Sequence, residues 1–261
     1  MTDQVWQKLG TEIDACRQAG IKIEFWWRDD DAAVDCPTLQ RLVDTATDAT
    51  TPLAVAVIPA QLQSATIARL VGRQGITVLQ HGFDHQNHAG ADEKKQELGT
   101  ARGEHVVLEQ LQQGTGQLKA AFGDQLQPVL VPPWNRISEA LIAGLPAIGL
   151  HGLSRYQARP TRSPTPGLIQ VNTHVDIINW KGDRSFIGTE AALALVCQHL
   201  AEKRTGRVDT EEPTGLLSHH QVMDEPAWDF VATFITRTRE HPDVHWPDIA
   251  AIFDPAAGGY G

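Results

Sequence analysis

Two clusters of residues in this chain could hold a metal ion and move a proton, and each stands where an apolar run stops. The run Ile21 to Trp27 ends at Arg28-Asp29-Asp30-Asp31, and the run Ile76 to Leu79 ends at His81-Gly82-Phe83-Asp84-His85. Adjacent carboxylates and two histidines four apart offer one oxygen and two nitrogen ligands, a set suited to a divalent transition ion with open positions. A second aspartate then remains beside the ion, where a general base is needed. His241-Pro242-Asp243-Val244-His245 has the same histidine spacing, but it lacks a preceding apolar run and contains proline, so it reads as a surface loop without chemistry.

The elements that would position these clusters follow an alternation of short β-rich runs with longer amphipathic ones, the pattern of a parallel sheet with crossover helices. Strands are expected at Ile21 to Trp27, Leu53 to Ile58, Ile76 to Leu79, Val129 to Val131, Ala147 to Leu150, Leu168 to Asn172 and Gly215 to Ser218. Helices are expected near 4 to 19, 38 to 49, 61 to 73, 93 to 121, 137 to 144, 189 to 204 and 226 to 239, the fourth broken or kinked by its glycines. Ala158 to Gly167, with three prolines, reads as a loop and a candidate lid; Thr205 to Thr214 is a second loop, and the tail from Pro255 is expected to fray. In α/β barrels the reacting groups gather at the carboxyl ends of the strands. Here those ends carry the acid triplet, Pro59 to Gln61, His81 to His88, Pro132 to Arg136, His151, Asp176 to Trp180 and His219-His220.

The 261 residues, 41% hydrophobic and 21% charged, suffice for one domain spanning 1–261 with a large core. A net charge of -10, with scattered Lys and Arg, argues against nucleic acid or an anionic membrane as the main partner. No segment approaches the roughly 20 apolar residues of a membrane helix, and the first residues lack a signal-peptide pattern, so a cytoplasmic location is expected. Cys16, Cys36 and Cys197 share no short spacing and read as small buried apolar side chains.

The ordered blocks resemble the polysaccharide deacetylase superfamily, the NodB-homology fold of carbohydrate esterase family four, over roughly Ile21 to His220. Arg28-Asp29-Asp30-Asp31-Ala32 resembles the motif Thr-Phe-Asp-Asp-Gly, and His81 and His85 match His-x-x-x-His. Val131-Pro132-Pro133-Trp134-Asn135-Arg136 resembles Arg-x-Pro-Tyr-Gly with the arginine moved downstream. Asp176-Ile177-Ile178-Asn179-Trp180 approximates Asp-x-x-Asp-Trp, and Leu216-Leu217-Ser218-His219-His220 approximates Leu-x-Leu-x-His. Ala32 in the glycine slot and Asn179 in an aspartate slot mark a divergent branch.

The resemblance implies a distorted (β/α)7 barrel and a metal-dependent hydrolase that removes an acyl group, acetyl first of all, from an amide of a sugar or related small molecule. Alternatives are an amidase on a non-sugar C–N bond (a cyclic imide, ureide or formamide) and an inactive barrel that binds without turnover. Asp31, His81 and His85 would hold one divalent ion, Zn2+ in the simplest case, with Co2+, Ni2+ or Mn2+ as alternatives. Asp30 would be the base and His219 the acid. Trp134, Arg136 and Trp180 would bind the substrate, a small molecule or glycan. Two ambiguities stay open: the acid pair is Asp30 and Asp31 or Asp29 and Asp30, and the acid is His219 or His220. Arg28 and Arg136 are both candidates to orient Asp30; His88 is a possible further ligand, and His151, His174 and Asp176 are possible supports of the ligands.

Overall fold

The computed structural model describes residues 2–258. It places α1 (Thr2–Gln18) before β1 (Ile23–Ala32), then runs through α2 (Pro37–Asp48), β2 (Leu53–Val57), α3 (Ser64–Leu70), β3 (Ile76–His81), α4 (Glu104–Phe122), β4 (Leu126–Val131), α5 (Glu139–Ile142) and β5 (Gly152–Leu153). β6 (Ile169–Gln170) and β7 (Val175–Asp176) follow with no helix between them. The chain ends in α6 (Thr189–Arg204), β8 (Thr214–Ser218), α7 (Glu225–Arg239), β9 (Val244–His245) and α8 (Ile249–Ile252).

All strand pairings are parallel, in the order β6-β5-β4-β3-β2-β1-β8-β7, with β9 added at the start of β1. The segment 169–176 crosses from one end of this sheet to the other. Val171 N–H donates to Leu153 O and Thr173 N–H to Arg155 O on one side, and His174 N–H donates to Gly215 O on the other. β6 and β7 thus act as two ends of one stave, and the sheet curls into a seven-stave (β/α) barrel.

Alternation along β1 divides the apolar residues into two layers. Phe25 and Trp27 face outward into a core shared with Val55, Val57 and Val78 and with the helices through Leu39, Leu42, Leu193 and Phe234. Trp26 faces the barrel interior with Ala54, Ala56, Leu79, Val129 and Val131, and Ile249, Ile252 and Phe253 join this inner cluster. The alanines of β2 leave room for the Trp26 indole. Gly215 is obligatory beside it, because a Cβ there would lie 2.5 Å from Trp26 Nε1 and 2.7 Å from Thr173 Cα. The lower barrel is therefore filled by side chains, and the space within the barrel opens at the carboxyl ends of the strands.

Several elements differ from the sequence expectation. β1 runs five residues past Trp27, because Arg28 and Asp29 pair with both β2 and β8 and Ala32 pairs again with Val57. Ala147 to Leu150 is no strand: Pro146–Ile148 forms a 3-10 turn closed by Gly149 at φ 84, and the strand follows at Gly152. The stretch 93 to 121 is helical only from Glu104, after Gly103 at φ 84, which leaves 87 to 103 as a loop. Val244–His245, expected as loop, adds to β1. Pro255–Gly258 forms a 3-10 turn, and the rest of the tail lies outside the described residues. Cys16 is buried, whereas Cys36 and Cys197 are only partly so; all three are free. Among the described residues no helix is long and apolar enough to cross a membrane.

Candidate active site

The site begins with a fault in β1. Asp29 pairs with Val55 and Ala32 with Val57, so Asp30 and Asp31 together oppose Ala56. This is a β-bulge, in which one extra residue re-aims the side chains around it. Asp31 takes the left-handed conformation at φ 70, one that aspartate tolerates better than most residues. The bulge cancels strand alternation at this point, and both Asp30 and Asp31 line one cavity of about 620 Å3 at the barrel mouth.

Asp29 goes elsewhere. It is fully buried on the opposite side of β1, where it accepts from Ser218 Oγ at 2.6 Å and His220 N–H at 3.0 Å and pairs with His220 Nδ1. Trp27 Nε1 donates to the same Ser218 hydroxyl. Burial disfavours a charged His220, but Asp29 outweighs burial and raises its pKa. Asp29 and His220 thus form an internal pair tying β1 to β8. His219, the next residue, faces the cavity, and its ring meets Trp180 edge-on at 4.7 Å.

Asp31, His81 and His85 converge. Asp31 Oδ1 lies 3.0 Å from His81 Nε2 and 3.2 Å from His85 Nε2. Two ligands of a common ion at about 2.0–2.2 Å stand about 3.0–3.4 Å apart, so the spacing fits a shared cation. Protonation gives a second sign. His81 Nδ1 lies 3.0 Å from Val131 O, to which only an N–H can donate, and in a neutral ring this turns a bare Nε2 lone pair toward a carboxylate. That arrangement is repulsive unless a proton or a cation lies between them, and metal-bound histidines commonly show this donation from the other ring nitrogen. Burial would raise the Asp31 pKa, but hydrogen bonds from His81 and His85 hold it well below the carboxylate range. Burial would likewise lower His81, and Asp31 more than offsets it.

Glu97 carries the turn between the two histidines and has no signature in the sequence. Buried in the loop 87 to 103, it accepts Phe83 N–H at 2.7 Å, Asp84 N–H at 3.3 Å and His85 N–H at 2.9 Å. Gly82 passes so close that a Cβ would lie 2.5 Å from Glu97 Oε2 and 2.7 Å from Pro133 Cδ. His85 is left-handed at φ 58, a conformation that the carboxylate beneath it helps to maintain.

Asp30 is held by Arg28, not by Arg136. Arg28 Nε and Nη2 donate to the two Asp30 oxygens at 2.8 and 2.9 Å, Nη2 also reaches Asn135 Oδ1, and Nη1 reaches Ser154 Oγ and Arg155 O. All five donors of this fully buried guanidinium are thereby used. Arg136 instead donates to Lys95 O and lines the cavity. Trp134 and Trp180 form its walls: Trp134 is 4.5 Å from the His85 ring, and Trp180 Nε1 donates to Asp176. Burial raises the Asp176 pKa, while the charge of the nearby His219 acts to lower it. Among the described residues seven non-glycine residues have positive φ, and Asp31, His85, Trp134 and Asn135 are four of them. Backbone strain of this kind collects at functional sites.

Other expected residues fall outside. His88 lines a different depression, and exposed His151 bonds to Gly167 O. The loop Ala158 to Gly167 contributes nothing to the cavity; Arg159 N–H is tied to Glu212 and Arg162 to Asp254 O. It is therefore no lid, and the loop after β7 that carries Trp180 forms that wall. His174 belongs to a second buried cluster with His199 and Glu212. This cluster lacks the geometry of a metal centre. Its imidazoles stack at 3.4 Å and 19°, so their in-plane lone pairs run nearly parallel, and His174 Nδ1 accepts Gly215 N–H, which leaves the proton of the neutral ring on Nε2. Glu212 oxygens accept Arg159 and Asn172 N–H.

No family model matches the chain, and no curated protein matches it in sequence. Its fold is nonetheless that of the polysaccharide deacetylases. It resembles a candidate polysaccharide deacetylase from Mycobacterium smegmatis with a TM-score of 0.63 at 15% identity over 90% of both chains. It resembles a peptidoglycan N-acetylglucosamine deacetylase with a TM-score of 0.54 at 13% identity, over 89% of this chain and 88% of the other. A CE4-family pseudoenzyme from Bacillus anthracis is similar at a TM-score of 0.55 and 14% identity, over 89% of this chain and 66% of the other. At such identities the likeness shows the fold alone, and activity has to be argued from the residues at the cavity.

Proposed function

We propose that this chain is a metal-dependent hydrolase that removes an acyl group, acetyl in the first instance, from an amide nitrogen of a sugar or related small molecule. The observation that carries the reading is the convergence of Asp31, His81 and His85 on one point, with Asp30 and His219 lining the same cavity. A divalent ion bound by that trio would supply Lewis acidity toward an acyl carbonyl and water.

The other steps belong to the chain. Asp30 would accept the proton of the attacking water, its orientation fixed by the bidentate Arg28. His219, packed edge-on against Trp180, would protonate the departing nitrogen. Acid and base then act from separate strand ends, β8 and β1, so the substrate amide lies between them. Trp134 and Trp180 would hold its apolar faces, and the packed barrel floor limits how deep it can reach. The pseudoenzyme among the structural neighbours makes the alternative of a binding barrel concrete. Retention of the ligand trio together with an arginine-clamped Asp30 supports turnover over that alternative.

The test is metal content of purified protein beside Asp31→Ala and His81→Ala, with acetate release from acetylated sugars and small amides. Near-stoichiometric metal in the wild type, lost in both variants, together with acetate release, is the expected outcome. Well-folded wild type that takes up no Zn2+, Co2+ or Mn2+ would overturn the proposal.

A further inference from the structure

The cavity mouth carries charge that deacylation itself does not require. Lys95 and Arg136 stand on the Trp134 side, with the Lys95 ammonium 6.0 Å from the Trp134 ring, and Lys181 and Arg184 stand on the loop of Trp180. None of the four is within ion-pair distance of a carboxylate among the described residues. Of the carboxylates of the cavity, Asp30 is paired with Arg28 and Asp31 lies against the two histidines; Asp176 has only neutral donors, Trp180 Nε1 among them, so one acidic group stands against the four cations. Asp183, which could have neutralised the Trp180 loop, turns its oxygen to Ser185 and does not line the cavity.

This arrangement runs against the rest of the molecule. The chain has 32 acidic and 22 basic residues, so four cations around one opening are not what its average surface would supply. A concave mouth whose rim carries an excess of one sign focuses its field and concentrates ligands of the opposite sign. The cations share the cavity lining with both tryptophans, and a volume of about 620 Å3 suits a small molecule, not a long polymer enclosed within it.

We infer that the substrate is a small acylated amine that also carries an anionic group, phosphate or carboxylate, bound by Lys95 and Arg136 on one wall or Lys181 and Arg184 on the other. This rests on the deacylase reading for the reaction, while the charge selectivity stands on the rim alone. An exposed ion pair is worth at most about fivefold in affinity, so an anion that reaches two cations gains on the order of tenfold.

The experiment compares metal-loaded wild type with the Lys181→Ala/Arg184→Ala and Lys95→Ala/Arg136→Ala double variants. Acetate release is followed from N-acetylglucosamine, its 1-phosphate and 6-phosphate, and N-acetylmuramic acid as the carboxylate arm. Binding of glucosamine 6-phosphate against glucosamine is measured by calorimetry at low and high salt. The expected result is kcat/KM at least about tenfold higher for an anionic substrate, falling toward the neutral value in one double variant and as salt shortens the screening length from about 10 to about 3 Å. The binding preference should shrink in parallel. Phosphate and carboxylate are told apart by which arm is preferred. Equal turnover of neutral and anionic substrates, with no binding preference, overturns the inference and leaves the deacylase reading intact. Selective binding of the phosphorylated sugar with no acetate released from any substrate does the reverse.

Discussion

Glu97 is the residue on which placement of His85 should turn, and its replacement by glutamine tests that. The wild-type carboxylate receives three backbone N–H groups, with Phe83 and Asp84 on one oxygen and His85 on the other. Glutamine keeps one acceptor and presents an NH2 group in place of the second. Keeping the stronger side, Phe83 at 2.7 Å, sets the amide nitrogen against His85 N–H. A buried donor without a partner costs about 1–3 kcal/mol. Burial already raises the Glu97 pKa, so removing its charge recovers part of a desolvation cost and the net loss falls near 2 kcal/mol. In a chain of this length that is roughly 4–8 °C in melting temperature. Release of His85 from its left-handed conformation should also weaken metal affinity about 10–100-fold, the usual penalty for losing a group that supports a ligand. Thermal unfolding with chelator present and Zn2+ competition against a chromophoric chelator measure the two effects separately. Gly82→Ala should act in the same direction, since its Cβ would collide with the same carboxylate. A Glu97→Gln variant that melts within a degree of wild type and binds Zn2+ within twofold would refute the reasoning.

The three adjacent aspartates should give three different phenotypes. Asp31→Asn should lose metal; Asp30→Asn should keep metal and lose about 10^2–10^4 in turnover; Asp29→Asn should keep metal and lose about 3–5 kcal/mol of stability by leaving buried His220 without its partner. Metal content, acetate release and urea unfolding on the three proteins distinguish them, and metal loss in Asp29→Asn alone would reverse the register argued from the bulge. The protein should also be acid-labile through His174 and His199. Burial, reinforced by Lys203 for His174 and by the charge of His174 for His199, pushes their pKa values down to about 3 and about 2. Both folded values lie below the unfolded value of about 6.5, so the unfolded chain binds more protons throughout that window, and stability is full above pH ~6.5 and falls as pH drops toward 3. Between pH 7 and 5 the two rings together account for about 4 kcal/mol. Urea unfolding at several pH values should show this fall, with a shallower slope in His199→Gln, and an unchanged slope in that variant would count against the assignment.

The seven-stave barrel was legible because its strands are short apolar runs and its helices carry one buried face, patterns that survive without knowledge of partners. So was the gathering of His81, His85 and the acid triplet at one end of the barrel, since parallel strands place all their carboxyl ends together. Spacing alone could not choose among the three aspartates. Strand alternation forbids two neighbours from sharing a face, and only the bulge opposite Ala56 lifts that rule for Asp30 and Asp31. The same holds for His219 and His220, which the end of β8 sends to opposite sides. The roles of Glu97, Ser154 and the rim cations Lys95, Lys181 and Arg184 were invisible for a different reason. They come from loops, where no periodicity reports orientation, and the hydrogen-bond partners of Glu97 and Ser154 lie 12 to 126 residues away along the chain. The residue types at the strand ends therefore set the available chemistry, whereas a backbone fault and long-range loop contacts, which depend on packing and not on local pattern, decided which of those residues face the cavity.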